Sequence, residues 1–297
     1  MRATFPLPGP VDLRRTMASL QRGTADPTMS VRVAEVWRAT RTTEGAATLH
    51  LAVDGASLSA QAWGPGAAAA IDAAPGWAGL LDDARGFRAH HRVIGELHRR
   101  FRGVRLTRTG SVTETLIPAV LEQKVTGAEA RRAYRRLALA VGEPAPGPPG
   151  LVMPPDPAAV TELASFRFHT FGVERRRAER LIALCWRADE IDALARLEPA
   201  LARERLATLP GIGPWTAAEV ARLALGDADA VSVGDYHIPN IVTWALAREP
   251  RGNDERMLEL LEPYAGHRGR VQRLLEAAGI RAPRFGPRAD VRSIEQI

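Results

Sequence analysis

The sequence predicts an α+β protein, with a small N-terminal antiparallel α+β domain followed by a mainly α-helical region of two subdomains. Three observations carry this reading. Val31–Trp37, Thr48–Val53 and Leu58–Trp63 alternate apolar and polar residues, the period of strands with one buried face. From Phe87 onward apolar residues recur at three- and four-residue spacing, the period of amphipathic helices. Gly211-Ile212-Gly213-Pro214 then breaks two such helical patterns with a very short turn.

In chain order, Asp12 is placed to cap a short helix through Leu20. After the three strands, Gly64-Pro65-Gly66 and Ala73-Ala74-Pro75-Gly76 read as breakers, and the N-terminal domain closes at residue 85. Phe87–Phe101 reads as a basic helix. Its His90, His91 and His98 lack His-Glu-x-x-His spacing, so they read as a solvated face rather than a zinc site. Glu114–Leu121 is a helix with Leu116, Ile117, Val120 and Leu121 on one face. Thr126-Gly127-Ala128-Glu129 is a capping box opening the next, whose stripe is Ala130, Ala133, Tyr134, Leu137 and Val141. Gln123-Lys124-Val125 is therefore a tip between two helices.

Gly142–Pro155, rich in Pro and Gly, reads as a surface connection. Helices are expected over Val173–Trp186, Glu198–Thr208, Ile238–Leu246, Leu258–Tyr264 and Val271–Ala278, with Pro239 tolerated in a first turn. The expected division is residues 1–85, then 86–297. The latter splits into a subdomain over 112–228 holding the Gly-rich turn, a second over 86–111 plus 229–285, and a mobile tail at 286–297.

Composition narrows the function. The net charge of +6 and the isoelectric point near 10.5 favour a polyanionic partner. Of 40 basic residues only Lys124 is a lysine. The single cysteine, Cys185, forms no internal disulfide and cannot hold an iron–sulfur cluster, which needs several ligands. No apolar run is long enough to span a bilayer and no signal peptide opens the chain, so a cytoplasmic protein is expected.

The stretch Leu209–Ala217 organises the rest. Glycine permits a tight turn with exposed backbone N–H groups, and Gly213 sits as N-cap before Pro214 at the first helical position. The next helix carries Ala217, Val220, Ala221, Ala224 and Leu225 on one stripe. Trp215 lies about 200° from Ala217 and faces away from that stripe. Amides at a helix N-terminus form an anion site, which suits a nucleic-acid backbone. Gly234-Asp235 follows Gly213 one helix later, the aspartate being 22 residues on.

The hairpin and this Gly-Asp pair resemble those of the helix-hairpin-helix (HhH-GPD) DNA glycosylase superfamily, and within it the bacterial 3-methyladenine DNA glycosylase II family. The match is strong over residues 105–275. The resemblance implies two helical subdomains with a cleft between them, and a monomer acting on double-stranded DNA that contains damaged bases. The activity implied is excision of alkylated purines by hydrolysis of the N-glycosidic bond.

It further implies that Asp235 is the catalytic carboxylate, although an Asp before a helix is also a favoured N-cap. The amides of Gly211 and Gly213, with Thr216, would meet phosphate. The carbonyls of Ala207, Leu209 and Ile212 would hold a monovalent cation, Na or K, and no other cofactor is expected. Trp215 stands where strand-cutting members carry a Schiff-base lysine, so a monofunctional hydrolase is expected. Trp215 and Tyr236 would wall the base pocket.

The chain departs from the family at three positions. Glu219 and His267 stand where the family has aromatics and would make the pocket polar, though Glu219 can also pair with Arg222 at i, i+3. The tip Gln123-Lys124 matches the family wedge that enters DNA and fills the gap left by a flipped nucleotide, with Lys124 standing where the family often has Leu or Gln. Two alternatives stay open: a glycosylase for oxidised, deaminated or mismatched bases, and a non-catalytic DNA-binding protein.

Overall fold

The protein is described here by a computed structural model covering residues 1–283. The expected tail at 286–297 lies outside the described residues. The N-terminal part holds strands β1 (Arg2–Pro6), β2 (Met29–Val31), β3 (Glu35–Thr42), β4 (Gly45–Asp54) and β5 (Ser57–Trp63) in one antiparallel sheet, ordered β1-β5-β4-β3-β2. Because strand side chains alternate, Val36, Leu49, Leu51, Leu58, Ala60 and Ala62 all reach one face. Helices α1 (Leu13–Ala18) and α2 (Ala67–Trp77) cover it with Leu13, Met17, Ile71 and Trp77. On the other face Trp37 stacks on His50 at 4.0 Å and on Trp63 at 5.3 Å.

Two local expectations are corrected. Val31–Trp37 is not one strand but a tight hairpin. Val31 ends β2 and pairs with Val36, while Val33 stands 85% exposed in the turn. Apolar alternation runs through that turn, so periodicity alone could not show it. Ala73–Gly76 does not break the chain either, but lies inside α2. The buried stripe Ala67, Ala70, Ile71, Ala74 and Trp77 outweighs the poor helix propensity of Pro75 and Gly76. Gly76 is needed for close approach: a Cβ there would fall 2.3 Å from the Arg108 carbonyl, whose own N–H donates to the Gly76 carbonyl at 2.8 Å.

The helices form two further cores. One gathers α4 (Val112–Leu121), α5 (Gly127–Val141), α7 (Arg175–Cys185), α9 (Pro199–Ala207) and α10 (Pro214–Val220), with α6 (Pro157–Thr161) and α8 (Ala188–Ala193) at its margin. Leu121, Leu137, Leu181, Leu206 and Ala217 are buried there. The other gathers α3 (Arg92–Arg100), α11 (Ile238–Ala247), α12 (Asp254–Leu261) and α13 (Arg268–Ala277) around Ile94, Val242, Leu261 and Val271. The basic helix expected from Phe87 starts only at Arg92, after an extended approach.

Three joints fasten these cores together. After α10 the chain widens into one π turn, Ala221–Leu225, and Leu223 enters the sheet core while its neighbours stay in the helical one. Glu114 of α4 reaches the sheet. It pairs with the Arg38 guanidinium and accepts from Thr40 Oγ1 at 3.0 Å and from the Arg41 amide at 3.2 Å. On α13, Arg270 pairs with Asp82 at 2.7 Å and Arg273 donates to the Arg15 carbonyl.

Candidate active site

The turn between α9 and α10 is built as the glycines demand. Gly211 adopts φ +80°, a left-handed conformation open to glycine at low cost, and Gly213 is the extended N-cap of α10 with Pro214 following. Leu209 and Ile212 are buried pegs joined by an Ile212 N–H to Leu209 carbonyl bond of 3.0 Å. Gly211 and Gly213 are exposed between them. The hairpin thus shows its glycine backbone outward and its apolar side chains inward.

The tip after α4 is tied to this hairpin by Gln123. Its amide donates to the Gly211 carbonyl at 3.1 Å and to Thr216 Oγ1 at 2.9 Å, and its oxygen accepts from Arg180 at 2.5 Å. Arg180 also lies against Gly211, where a Cβ would fall 2.0 Å from Nε. Thr216 is 2% exposed, with its hydroxyl accepting from Gln123, so Gln123 ties the tip to the hairpin. Lys124 stands exposed at the tip with φ +56°.

Gln123→Ala should therefore loosen the tip from the hairpin, with a loss of about 1–2 kcal/mol in stability from the orphaned partners, read in urea unfolding.

Asp235 ends the loop that follows the π turn and precedes α11. Its Oδ1 accepts from the amides of His237 at 2.6 Å and Ile238 at 2.9 Å, so it satisfies two donors at the start of α11 from two residues before the N-cap, His237. Its Oδ2 accepts from Trp215 Nε1 at 2.9 Å. A carboxylate offers about four lone-pair directions. Three are taken, and one on Oδ2 is left over. The candidate catalyst thus also bonds the start of α11, half-buried and held by a tryptophan from the hairpin helix, while His237 and not Asp235 is the N-cap.

The loop is held from both sides. Asp227 pairs with Arg203 at 2.7 Å, and Asp229 pairs with Arg268. The Gly234 amide donates to the Asp254 carboxylate at 3.0 Å. Burial pushes the Asp229 carboxyl up, but the Arg268 contacts outweigh it and the net direction is down.

Tyr236, next to Asp235, is 84% exposed, its ring edge-on to His237. Glu219 is drawn inward by charge, because Arg222 one turn on donates to both its oxygens at 2.9 and 3.1 Å. Glu276 takes the other face of that guanidinium at 2.9 Å. Burial of Arg222 opposes its charge, yet the two carboxylates overcome this and raise its pKa.

His267 caps α13, edge-on to Phe87 at 5.7 Å and accepting from Arg270 at 3.3 Å. It belongs to an aromatic group with Tyr264, whose hydroxyl bonds His91 Nδ1 at 2.8 Å, and with His98 against Phe87. No group of three or more potential metal-ligating side chains occurs among the described residues.

Burial lowers the pKa of His91, His98 and His267, with neighbouring His90, Arg270 and Arg102 adding to it. Each holds fewer protons folded than unfolded between its depressed value and the usual one near 6.5. Their stabilising contribution is therefore complete above about pH 6.5 and is lost as pH falls through the folded values. The melting temperature should drop between pH 7 and pH 5, and drop less in a His91→Asn, His98→Gln variant, as followed by circular dichroism.

Sequence reasoning missed four residues that shape the site: Ser232, Gln272, Arg180 and Asp254. Only Asp254 carried a local signal, an acidic residue at a helix start after Asn253. The others matter through long-range contacts that spacing does not encode.

No family model matches the chain. In sequence it is 34% identical, over 135 residues, to the "Probable bifunctional transcriptional activator/DNA repair enzyme AlkA" of Mycobacterium tuberculosis, covering 45% of this chain and 27% of that protein. The matched stretch thus spans about a quarter of the relative's length. In fold it is similar to a 3-methyladenine DNA-glycosylase from Archaeoglobus fulgidus, with a TM-score of 0.76 at 18% identity over 92% of this chain and 97% of that one. It is also similar to the Clostridium acetobutylicum 8-oxoguanine glycosylase/lyase, with a TM-score of 0.62 at 12% identity over 84% and 98%. The chain is thus similar to an AlkA protein over that stretch, and it shares the fold of the 3-methyladenine and 8-oxoguanine glycosylases.

Proposed function

We propose that the chain is a monofunctional DNA glycosylase of base-excision repair, acting as a cytoplasmic monomer on double-stranded DNA that carries alkylated purines. The observation that carries this is the Asp235 carboxylate, held by Trp215 and two backbone amides with one Oδ2 direction left over, beside an exposed amide hairpin. Breaking an N-glycosidic bond builds positive charge on the sugar, and a fixed carboxylate stabilises that charge without reorganising. The remaining lone pair of Oδ2 can also orient the attacking water and take its proton.

The hairpin supplies the grip on the backbone. Gly211 and Gly213 present amides at a helix N-terminus, Arg180 adds charge against Gly211, and Lys124 stands at the tethered tip. Binding should weaken steeply with salt, as phosphate neutralisation does. The carbonyls of Ala207, Leu209 and Ile212 lie at and just beyond the C-terminus of α9, the negative end of its dipole, and would be the ligands of a monovalent cation there, Leu209 sharing its oxygen with the Ile212 amide. Tryptophan at position 215 forms no imine, which supports hydrolysis without strand cleavage. The half-buried indole face also suits a cationic alkylated purine.

The polar-pocket argument for oxidised or deaminated bases loses its main member, because Glu219 is committed to Arg222. The test is base release from duplexes bearing 3-methyladenine, 7-methylguanine, hypoxanthine or 8-oxoguanine. Release of the methylated purines, with no borohydride-trapped adduct, is expected. Release of 8-oxoguanine alone would overturn the substrate class. Tight abasic-DNA binding with no release from any duplex would favour the non-catalytic reading.

A further inference from the structure

Helix α10 grips the Asp235 loop at two points one helical turn apart. Trp215 holds the carboxylate itself, and Glu219, four residues on, accepts the Ser232 hydroxyl three residues before Asp235. Ser232 is completely buried, and its carbonyl accepts the Asp235 amide at 3.2 Å. Gln272 of α13 closes the arrangement from the opposite body. Its oxygen accepts the Ser232 amide at 3.1 Å and its nitrogen donates to Ser232 Oγ at 2.8 Å.

The donor arithmetic leaves little choice. Ser232 has one O–H to give and gives it to Glu219, while a hydroxyl lone pair receives Gln272. Glu219 has acceptor capacity for both Ser232 and Arg222. Burial makes each of these bonds costly to leave unmade.

We infer that Glu219 and Ser232 are positioning residues that set the pose of Asp235, and that the carboxylate at 219 serves this purpose rather than recognition of a base edge. The inference rests on the proposed glycosylase reading only for its kinetic arm.

The experiment uses the full chain with Glu219→Ala, Glu219→Gln and Ser232→Ala. Three quantities are read in each: single-turnover base release from methylated DNA, affinity for abasic-site DNA, and melting temperature. The indole N–H resonance of Trp215, assigned by its loss in Trp215→Phe, reports the Asp235 contact whether or not a base is released. Glu219→Ala and Ser232→Ala should slow release roughly tenfold or more and shift that resonance, with abasic-DNA affinity near wild type. Glu219→Gln keeps an acceptor for Ser232 while depriving Arg222 of a carboxylate. It should release base within about threefold of wild type and leave the resonance near its place, despite a lower melting temperature.

An unmoved resonance in Ser232→Ala overturns the inference. So does a wild-type release rate in that variant, or rates that merely follow melting temperature across the three. A wild-type protein that releases no base defeats the glycosylase reading instead, and the resonance alone then decides the positioning.

Discussion

Asp235→Asn is expected to slow single-turnover base release by about a hundredfold or more, the scale on which one preorganised electrostatic partner acts at a developing charge. The variant should still fold. Its amide oxygen can take the His237 and Ile238 amides that Oδ1 takes now, so the bonds at the start of α11 survive and the stability cost stays near ~1 kcal/mol. The amide nitrogen then faces the Trp215 N–H, donor against donor, and the acceptor that holds the indole is gone. Base release by chromatography, with abasic-DNA affinity and melting temperature measured on the same sample, separates chemistry from folding. An unchanged rate would remove Asp235 from the mechanism.

Glu114→Ala should be the most destabilising single change. Glu114 and Arg38 have side chains only 9% and 7% exposed, and the mutation strands a buried guanidinium as well as the Thr40 hydroxyl and the Arg41 amide. Breaking a buried pair from one side costs about 3–5 kcal/mol, which for a chain of this size lowers the melting temperature by roughly 6–20 °C. Adding Arg38→Met should recover much of the loss, because the stranded charge and not the missing bond dominates. A loss below about 1 kcal/mol in thermal or urea unfolding would show that water reaches Arg38 once the carboxylate is gone.

The legibility of this molecule in its sequence depends on the range over which each feature is decided. The hairpin is decided within nine residues by glycine conformation and N1 proline, and Leu209–Ala217 folds as those rules require. The capping box at Thr126 and Glu129 is likewise local, and both of its reciprocal bonds are present. Trp215 turning away from the Ala217 stripe follows from 100° per residue, and its indole does meet Asp235.

Features decided at long range were not legible. Glu219 reads either as a pocket residue or as the i, i+3 partner of Arg222, and that pair forms, but its bond to Ser232 has no local signal. Tyr236 adjoins Asp235, but nothing in the local sequence shows that its side chain is 84% exposed. Thr216 and Gln123 each look like surface contacts until they are found bonded to each other. For Glu219 and for the Thr216–Gln123 pair the deciding partner lies on another element.

The joints between the cores bear on what could be cut away. Strands β1 to β5 contribute nothing to the carboxylate or its grip, so they invite removal as an accessory. Yet Arg38 neutralises a carboxylate on α4, the Arg15 carbonyl receives Arg273 from α13, and Leu223 rests among sheet residues. A fragment starting after residue 85 would keep the entire reading head but would expose a charge, a donor and an apolar side chain at once. The smallest working unit therefore includes the part that does no chemistry.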